Sequence, residues 1–327
     1  MAHPTCVISD LGNGVAMRTD GCIYRFDPDR AVHGDINLVS HAHSDHVPNY
    51  LGRAPITCSR ITHDLIRLRR KKVERRDEPS ADSMEAGHAP GSVMFLVDGA
   101  SKVLYTGDFC TRVKGHLSPA RPIGCDVLVM ECTYGKPEYE FPDHRETMRA
   151  VRDWVEETLG SGSNAVLLAY PLGKAQELCF ELRDHPIRVE ARTAENHHAL
   201  NDHGFRLPVD TDTGPRVGQP FVYVTPGAGA ERAKVDCMAK HGAKAAAFTG
   251  WAVRRFGGRA KAPSTEMFPL SDHCDYNELM EFVRLCGPGK VFTTHGFTEE
   301  FARSVRRELG IDAEPLRKGQ GTLDAFL

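Results

Sequence analysis

Short apolar runs rich in β-branched residues recur along this chain, with stretches of helical periodicity between them. Ile36-Asn37-Leu38-Val39-Ser40 predicts a buried strand that ends at a histidine cluster. Val93-Met94-Phe95-Leu96-Val97 and Lys102-Val103-Leu104-Tyr105-Thr106 flank the turn Asp98-Gly99-Ala100-Ser101, which predicts a hairpin. Val127-Leu128-Val129-Met130 and Ala165-Val166-Leu167-Leu168-Ala169 predict further core strands, and Asp143 to Leu159 between them carries apolar residues at helical spacing. Near the end, Val291-Phe292-Thr293-Thr294 leads into His295, and Thr298 to Leu309 reads as a helix. Strands interleaved with helices predict an α/β layered fold. From Pro171 onward the texture changes, with the Gly/Pro-dense segments Asp212-Thr213-Gly214-Pro215 and Thr225-Pro226-Gly227-Ala228-Gly229. That stretch reads as an inserted domain, after which the first domain resumes.

Composition narrows the classes. At 327 residues the chain can build one large domain or two modest ones, and its 41% hydrophobic and 26% charged residues are those of a globular protein. A formal net charge of -3 supplies no global basic excess for nucleic acid, so any basic surface must be local. The ten cysteines form no C-x-x-C pair, which argues against a zinc ribbon or a redox dithiol. Dispersed cysteines in a chain of this length serve as small buried hydrophobes, and a reducing compartment is expected, cytoplasmic or nucleoid-associated. Met1-Ala2-His3-Pro4-Thr5-Cys6 has neither a basic nor an apolar leader region, and no apolar run approaches the ~20 residues of a membrane span. Neither a secretory signal nor a membrane partner is expected.

The chemistry concentrates in His41-Ala42-His43-Ser44-Asp45-His46, an H-x-H-x-D-H cluster directly after a strand. Imidazoles and a carboxylate suit borderline divalent ions such as Zn²⁺. The plain alternative is a polar loop capping a helix, and four ligand-type side chains at this spacing tell against it. His88, in Glu85-Ala86-Gly87-His88-Ala89-Pro90-Gly91-Ser92, and Asp108, in Tyr105-Thr106-Gly107-Asp108-Phe109, are ambiguous singly: a loop histidine and a helix N-cap aspartate. Beside the cluster they read as the rest of a ligand shell, with the carboxylate placed to bridge two ions.

In order and context, His41, His43, Asp45, His46, His88 and Asp108 resemble the metallo-β-lactamase pattern. Asp27, ending Cys22-Ile23-Tyr24-Arg25-Phe26-Asp27, matches the early aspartate that supports the site in that superfamily, as a carboxylate orienting a ligand histidine would. Its plain reading is a turn residue before Pro28. Met130-Glu131-Cys132-Thr133-Tyr134-Gly135 resembles motif A of the β-CASP nucleases, Leu270-Ser271-Asp272-His273 motif B, and Thr294-His295-Gly296 motif C. Pro171-Leu172-Gly173-Lys174-Ala175-Gln176-Glu177 resembles the entry to the β-CASP insertion and Gly250-Trp251 its exit. The resemblance covers nearly the whole chain. It implies a metallo-β-lactamase αββα sandwich, residues 1–170 and 261–327, interrupted by a β-CASP domain over 171–260.

It further implies two divalent ions, most naturally Zn²⁺, with Mn²⁺ or Fe tolerated by the same ligand types. His41, His43 and His88 would hold one, Asp45, His46 and His295 the other, and Asp108 would bridge. Paired ions about 3.5–4 Å apart activate water, clamp a phosphate oxygen and stabilise developing charge. The implied catalytic set is Asp45, Asp108, Glu131 and His273, with His273 donating a proton to the leaving oxygen while Glu131 holds it charged and oriented. His273 also suits a helix-capping position after Asp272.

Details of the motifs divide the family's members. Ala86 to Leu96 followed by Val103 to Phe109 resembles Artemis-type DNA-repair nucleases, although His295 departs from their pattern, which often lacks the motif C histidine. Glu131-Cys132-Thr133-Tyr134-Gly135 and Thr294-His295-Gly296 look like the RNA-processing branch and like bacterial DNA-ligase-associated exonucleases; Leu270-Ser271-Asp272-His273-Cys274-Asp275 resembles the latter. The expectation is a DNA 5′-exonuclease acting in repair, with a ligase or helicase among its partners. RNA processing is the main alternative and a small-molecule hydrolase a weaker one. The run Arg67-Leu68-Arg69-Arg70-Lys71-Lys72-Val73-Glu74-Arg75-Arg76 is either a solvated helix face or a phosphate track through Arg69, Arg70, Lys71 and Lys72. Arg254 and Arg255, with Arg259 and Lys261, form a second basic cluster, and no aromatic interleaving marks base stacking there. Gly173-Lys174 lacks the glycine spacing of a P-loop, and Gly227-Ala228-Gly229 lacks the third glycine of a dinucleotide fingerprint.

Overall fold

The computed structural model describes residues 6–12, 14–19, 21–69, 72–213, 219–229, 231–253 and 265–317. Contacts divide the chain into two units: Met1–Val113, Ser118–Pro137 and His273–Leu327 form the first, Lys114–Leu117 and Glu138–Asp272 the second. The first unit opens with β1 (Val7–Asp10), β2 (Val15–Thr19), β3 (Cys22–Phe26), β4 (Ile36–Leu38) and helix α1 (Arg60–Arg69). It continues with β5 (Ala81–Glu85), β6 (Val93–Asp98), β7 (Lys102–Tyr105) and β8 (Val127–Cys132). The second unit holds α2 (His144–Gly160), β9 (Ala165–Leu168), α3 (Lys174–Glu181), β10 (Ile187–Val189), α4 (Ala191–Asn201), β11 (Val222–Thr225), α5 (Glu231–Lys240), β12 (Lys244–Phe248) and β13 (Thr265–Phe268). The chain then returns to the first unit with α6 (Tyr276–Cys286), β14 (Lys290–Gly296), α7 (Thr298–Leu309) and β15 (Asp312–Pro315).

In the first unit a four-stranded sheet, β1-β2-β3-β4, accompanies a six-stranded sheet ordered β15-β14-β8-β7-β6-β5. Strands β6 and β8 explain why their sequences are continuous apolar runs. Val93, Phe95 and Val97 of β6 join Val127 and Val129 of β8 in a core shared with Met17, Phe26 and Leu38 of the smaller sheet. The alternate residues Met94, Leu96, Leu128, Met130 and Cys132 enter another core with Phe282 and Val283 of α6 and Phe301 and Val305 of α7. Side chains alternate across a strand, so a strand covered on both faces is apolar at every position. Each large side chain buried this way contributes about 1.5–3 kcal/mol. Helix α6 is held in place by a capping box, Asp275 with Glu278, and ends at Gly287 in the left-handed region. The mixed α/β layering expected from the sequence is present. Among the described residues no helix is long and apolar enough to cross a membrane.

The second unit is built on one sheet ordered β10-β11-β9-β12-β13, with every adjacent pair parallel. Its boundaries differ from the 171–260 read off composition. Strand β9 pairs with β11 and β12, so it belongs to this sheet, and the preceding helix α2 comes with it. An apolar strand carries no mark of which sheet it will join, which is why composition detected only the Gly/Pro-dense part. Residues 114–117 join this unit through charge: Lys114 Nζ lies 3.3 Å from Asp272 Oδ1 and 3.9 Å from Glu177 Oε2, all buried. Lys174 Nζ closes on the other oxygen of Asp272 at 3.1 Å.

Two histidines of this unit are buried as neutral rings. Burial pushes His116 down to about 4, and neither of its ring nitrogens has a hydrogen-bond partner among the described residues. Burial likewise pushes His197 down to about 4, although its Nδ1 donates to the Pro208 carbonyl at 2.5 Å. An unfolded histidine titrates near 6.5, so between about 4 and 6.5 the unfolded chain binds protons that the folded chain refuses. The stability these rings contribute is complete above pH 6.5 and is lost as pH falls toward 4. Denaturant midpoints at pH 4.5 and pH 7 are therefore expected to differ less in His116→Gln than in the parent protein. An unchanged difference would contradict the buried neutral ring.

Candidate metal centre

The functional side chains gather where strands of the first unit end. His41, His43, Asp45 and His46 follow β4, His88 follows β5, Asp108 follows β7, Glu131 lies near the end of β8, and His295 near the end of β14. Gly107 makes one of these approaches possible. It has φ +52°, and a Cβ there would stand 2.6 Å from the Ser40 side chain. The pairing of β14 with β8 shifts register between Thr294 and Gly296, leaving His295 with φ +50° in a bulge that turns it off the ladder.

Three imidazoles converge. His41 Nε2 is 2.9 Å from His43 Nδ1, which is 3.1 Å from His88 Nε2. Asp108 Oδ2 lies 3.7 Å from His41 Nε2, 3.6 Å from His88 Nε2 and 3.4 Å from His46 Nε2. The ligand-type atoms of His41, His43, His88 and Asp108 all lie within 4.8 Å of one another. Convergent ring nitrogens cannot all be satisfied by one another's protons, and a shared electron-pair acceptor is what such a set fits. Three nitrogens and a carboxylate oxygen are the donors that zinc and similar ions take.

Asp27 sets which nitrogens face inward. It is buried, with φ +45°, and its carboxylate accepts from Ser40 N–H and Ser40 Oγ at 2.6 Å each, from His46 Nδ1 at 2.8 Å and from the Tyr105 hydroxyl at 2.9 Å. With its hydroxyl proton committed to Asp27, Ser40 Oγ accepts from His41 Nδ1 at 2.9 Å. Both His41 and His46 thus spend Nδ1–H outward and turn Nε2 to the centre. Although its oxygens lie near His41 and His46, Asp27 is already committed to four donors and serves as their support.

The electrostatics separate the rings. Burial, then the neighbouring His46, His43 and His88, hold His41 well below the ordinary histidine range, so its ring is neutral. Burial also opposes charge on His46, yet Asp108 and Asp27 outweigh it and raise His46 well above that range. Burial opposes ionisation of Asp108, but His46, His273 and His88 together hold it well below the usual carboxylate range. Burial and the adjacent Asp27 keep the Tyr105 phenol protonated as a donor. The surroundings of Asp108 thus stabilise its negative charge.

Glu131 and His273 form a second device. His273 Nδ1 lies 2.7 Å from Glu131 Oε1, and the buried glutamate also accepts from Phe109 N–H at 3.3 Å and Thr133 N–H at 3.0 Å. The His273 ring packs 4.6 Å from that of His88. Arg112 donates to the His273 carbonyl at 2.6 Å and pairs with Glu278. The proposed second ion's residues are looser. Asp45 Oδ2 is 3.9 Å from His46 Nε2 with a side chain 73% exposed, and the His295 ring lies 5.3 Å from that of His46.

No spacing in the sequence distinguishes Ser40, Tyr105 or Arg112 from ordinary strand and loop residues. Arg69, in α1, has its guanidinium donating to the Ala42 carbonyl inside the histidine loop, so it braces the loop. Arg75 does similar work on the Cys58 carbonyl at 2.8 Å. Lys72 is exposed, while Arg70, Lys71, Arg254, Arg255, Arg259 and Lys261 lie outside the described residues.

Residues 261–314, which include His273 and His295, match a family model described as RMMBL, a Zn-dependent metallo-hydrolase RNA specificity domain. The chain is 32% identical over 293 residues to a probable DNA ligase of Opitutus terrae, covering 85% of this chain and 28% of that protein. It is 26% identical over 286 residues to cleavage and polyadenylation specificity factor 73 of Drosophila melanogaster, covering 70% of this chain and 42% of that one. With DNA ligase 6 of Arabidopsis thaliana it shares 25% identity over 301 residues, 79% of this chain and 21% of that one. The chain thus spans less than half the length of each of these relatives. A crystal structure of a protein of unknown function from Enterococcus faecalis V583 shares the fold, with a TM-score of 0.60 at 13% identity over 98% of this chain and 100% of that one.

Removing the support should loosen the ligands without touching them. Asp27→Asn is expected to lower zinc affinity about 10–100-fold in equilibrium dialysis, with a cooperative melt retained. Zinc affinity equal to the parent's would remove Asp27 from the account.

Proposed function

We propose, from the premise that this chain belongs to the metallo-β-lactamase-fold β-CASP nuclease family, that it is a metal-dependent nuclease hydrolysing phosphodiester bonds in DNA, as a 5′-exonuclease in repair. The observation that carries the reading is the Glu131–His273 pair at 2.7 Å, its ring packed 4.6 Å from that of His88 in the histidine cluster. A phosphodiester has a poor alkoxide leaving group, and a positioned proton donor of this kind serves it.

His41, His43 and His88 would hold one divalent ion, Asp45, His46 and His295 a second, and Asp108 would lie between them, Zn²⁺ suiting the donors best and Mn²⁺ or Fe also fitting. Such ions, when bound, supply nucleophilic water at neutral pH and charge stabilisation for the phosphate oxygens. The protein's own groups do the rest. Asp27 and Ser40 hold the imidazoles in register. Glu131 accepts from His273 Nδ1 and favours its charged form, so that Nε2–H is available to protonate the leaving oxygen. Arg112 fixes the main chain from which His273 projects.

DNA is supported by the two relatives named as DNA ligases, and a ligase is the natural partner, with a helicase the other repair protein such an enzyme would meet; a cytoplasmic or nucleoid-associated location goes with that role. RNA processing is the second reading, favoured by the RNA specificity domain named for residues 261–314 and by the cleavage and polyadenylation factor. Matched DNA and RNA strands, labelled at either end and with or without a 5′-phosphate, separate them. The expected result is stepwise release of 5′-terminal nucleotides from DNA. Cleavage confined to RNA, or internal cuts, would overturn the corresponding part.

Asp108→Ala and His43→Ala are each expected to abolish phosphodiester cleavage while keeping the parent's circular dichroism. Glu131→Gln should retain metal and lose about 10²–10⁴ in rate, the share of a positioned proton donor. Full activity in either metal-ligand variant would sink the assignment.

A further inference from the structure

The second unit has chemistry at the open end of its sheet. From β9 the chain passes to β10 at one edge and back to β11; β12 then lies on the opposite side of β9. The order of strands therefore reverses between β9 and β12. In open parallel sheets ligands bind outside the carboxyl ends of the strands at such a point. Two large aromatic side chains leave the sheet there. Tyr170 follows β9 and is 71% exposed, and Trp251 follows β12 and is 45% exposed. Among the described residues they are the only large aromatics of this unit so exposed. Scattered exposed aromatics need no explanation, but two at the ends of adjacent strands at the switch point do.

Both rings are held. The indole of Trp251 meets the buried Tyr139 edge to face at 5.1 Å, and its main-chain N–H donates to Thr249 Oγ1 at 3.3 Å. Tyr170 has Lys174 Nζ 5.8 Å from its ring centroid, and that ammonium is fixed by Asp272 at 3.1 Å. The sequence after Trp251 adds charge. Residues 252–265 contain Arg254, Arg255, Arg259 and Lys261 and no acidic residue. Those residues are not part of the assigned site, yet they make its neighbourhood in the chain suit a polyanion and not a cationic or neutral peptide. Exposed flat rings are what proteins offer to the bases of single strands irrespective of sequence.

We propose that Tyr170 and Trp251 form a stacking subsite for the bases of a single-stranded nucleic acid. The inference rests on the nuclease reading above. Because every base offers a π-face, the subsite takes DNA and RNA alike. It supplies strand binding and takes no part in bond cleavage.

The chain has two tryptophans, so Trp154→Phe leaves Trp251 as the sole indole. In that background, with EDTA present to prevent cleavage, oligothymidylate is expected to quench Trp251 fluorescence. An abasic strand of equal phosphate number should leave it unquenched. Tyr170→Ala and Trp251→Ala should each weaken oligothymidylate binding about fivefold to a hundredfold, whereas Tyr170→Phe and Trp251→Phe retain most of it. Hydrolysis of bis(p-nitrophenyl) phosphate by the metal-loaded variants, which needs no base contact, should stay at the parent's level. Binding unchanged in both alanine variants, or weakened equally for the abasic strand, overturns the subsite and leaves the nuclease reading standing. A parent protein that hydrolyses no phosphodiester and binds neither strand overturns both.

Discussion

A single buried carboxylate organises the first unit. Asp27 sits in the left-handed region, where a non-glycine residue costs of order 1 kcal/mol or more, and its charge is removed from water. Four donors offset that cost: Ser40 twice, His46 and Tyr105. They come from the end of β4, the histidine loop and β7, so the carboxylate fastens together the two sheets at the edge where the histidine cluster emerges. Its grip on His46, and through Ser40 on His41, decides that both imidazoles present Nε2 inward. Without it the histidines would be a cluster of polar rings free to choose tautomers.

The same edge accounts for the rest of the centre. Parallel strands β7, β8 and β14 end side by side, which lets Asp108, Glu131 and His295 approach from residues far apart in the sequence. The dual apolar packing of β6 and β8 fixes that edge from both faces. Glu131 then reaches His273 from a fully buried strand end, and Arg112 secures the carbonyl of the same histidine. Chemistry is thus carried by short polar links laid over a rigid apolar framework, as an electrostatically preorganised site requires.

What the sequence disclosed follows from how local each feature is. His41 to His46 is legible because four ligand-type side chains fall within one loop, and His88, Asp108, Glu131 and His273 stand in short motifs. Ser40 and Tyr105 were invisible because a serine and a tyrosine in strand-like surroundings are ordinary; only the fold brings them to Asp27. Arg69 stands in a run that suits phosphates, and in the fold its guanidinium turns to the Ala42 carbonyl. The second unit begins ahead of Pro171 because β9, which reads like any buried strand in the sequence, pairs with its sheet. No local pattern links Tyr170 and Trp251, which lie 81 positions apart in the chain and are related only by the adjacency of β9 and β12.

The central claim is that imidazoles fixed by Asp27 and Ser40 form a metal centre. Anomalous diffraction at the zinc edge from crystals of the zinc-loaded protein tests it most directly. The expected density lies among His41 Nε2, His43 Nδ1, His88 Nε2 and Asp108, with His46 Nδ1 still bonded to Asp27. Zinc bound elsewhere, or a His46 ring turned away from Asp27 in the loaded protein, would contradict the account.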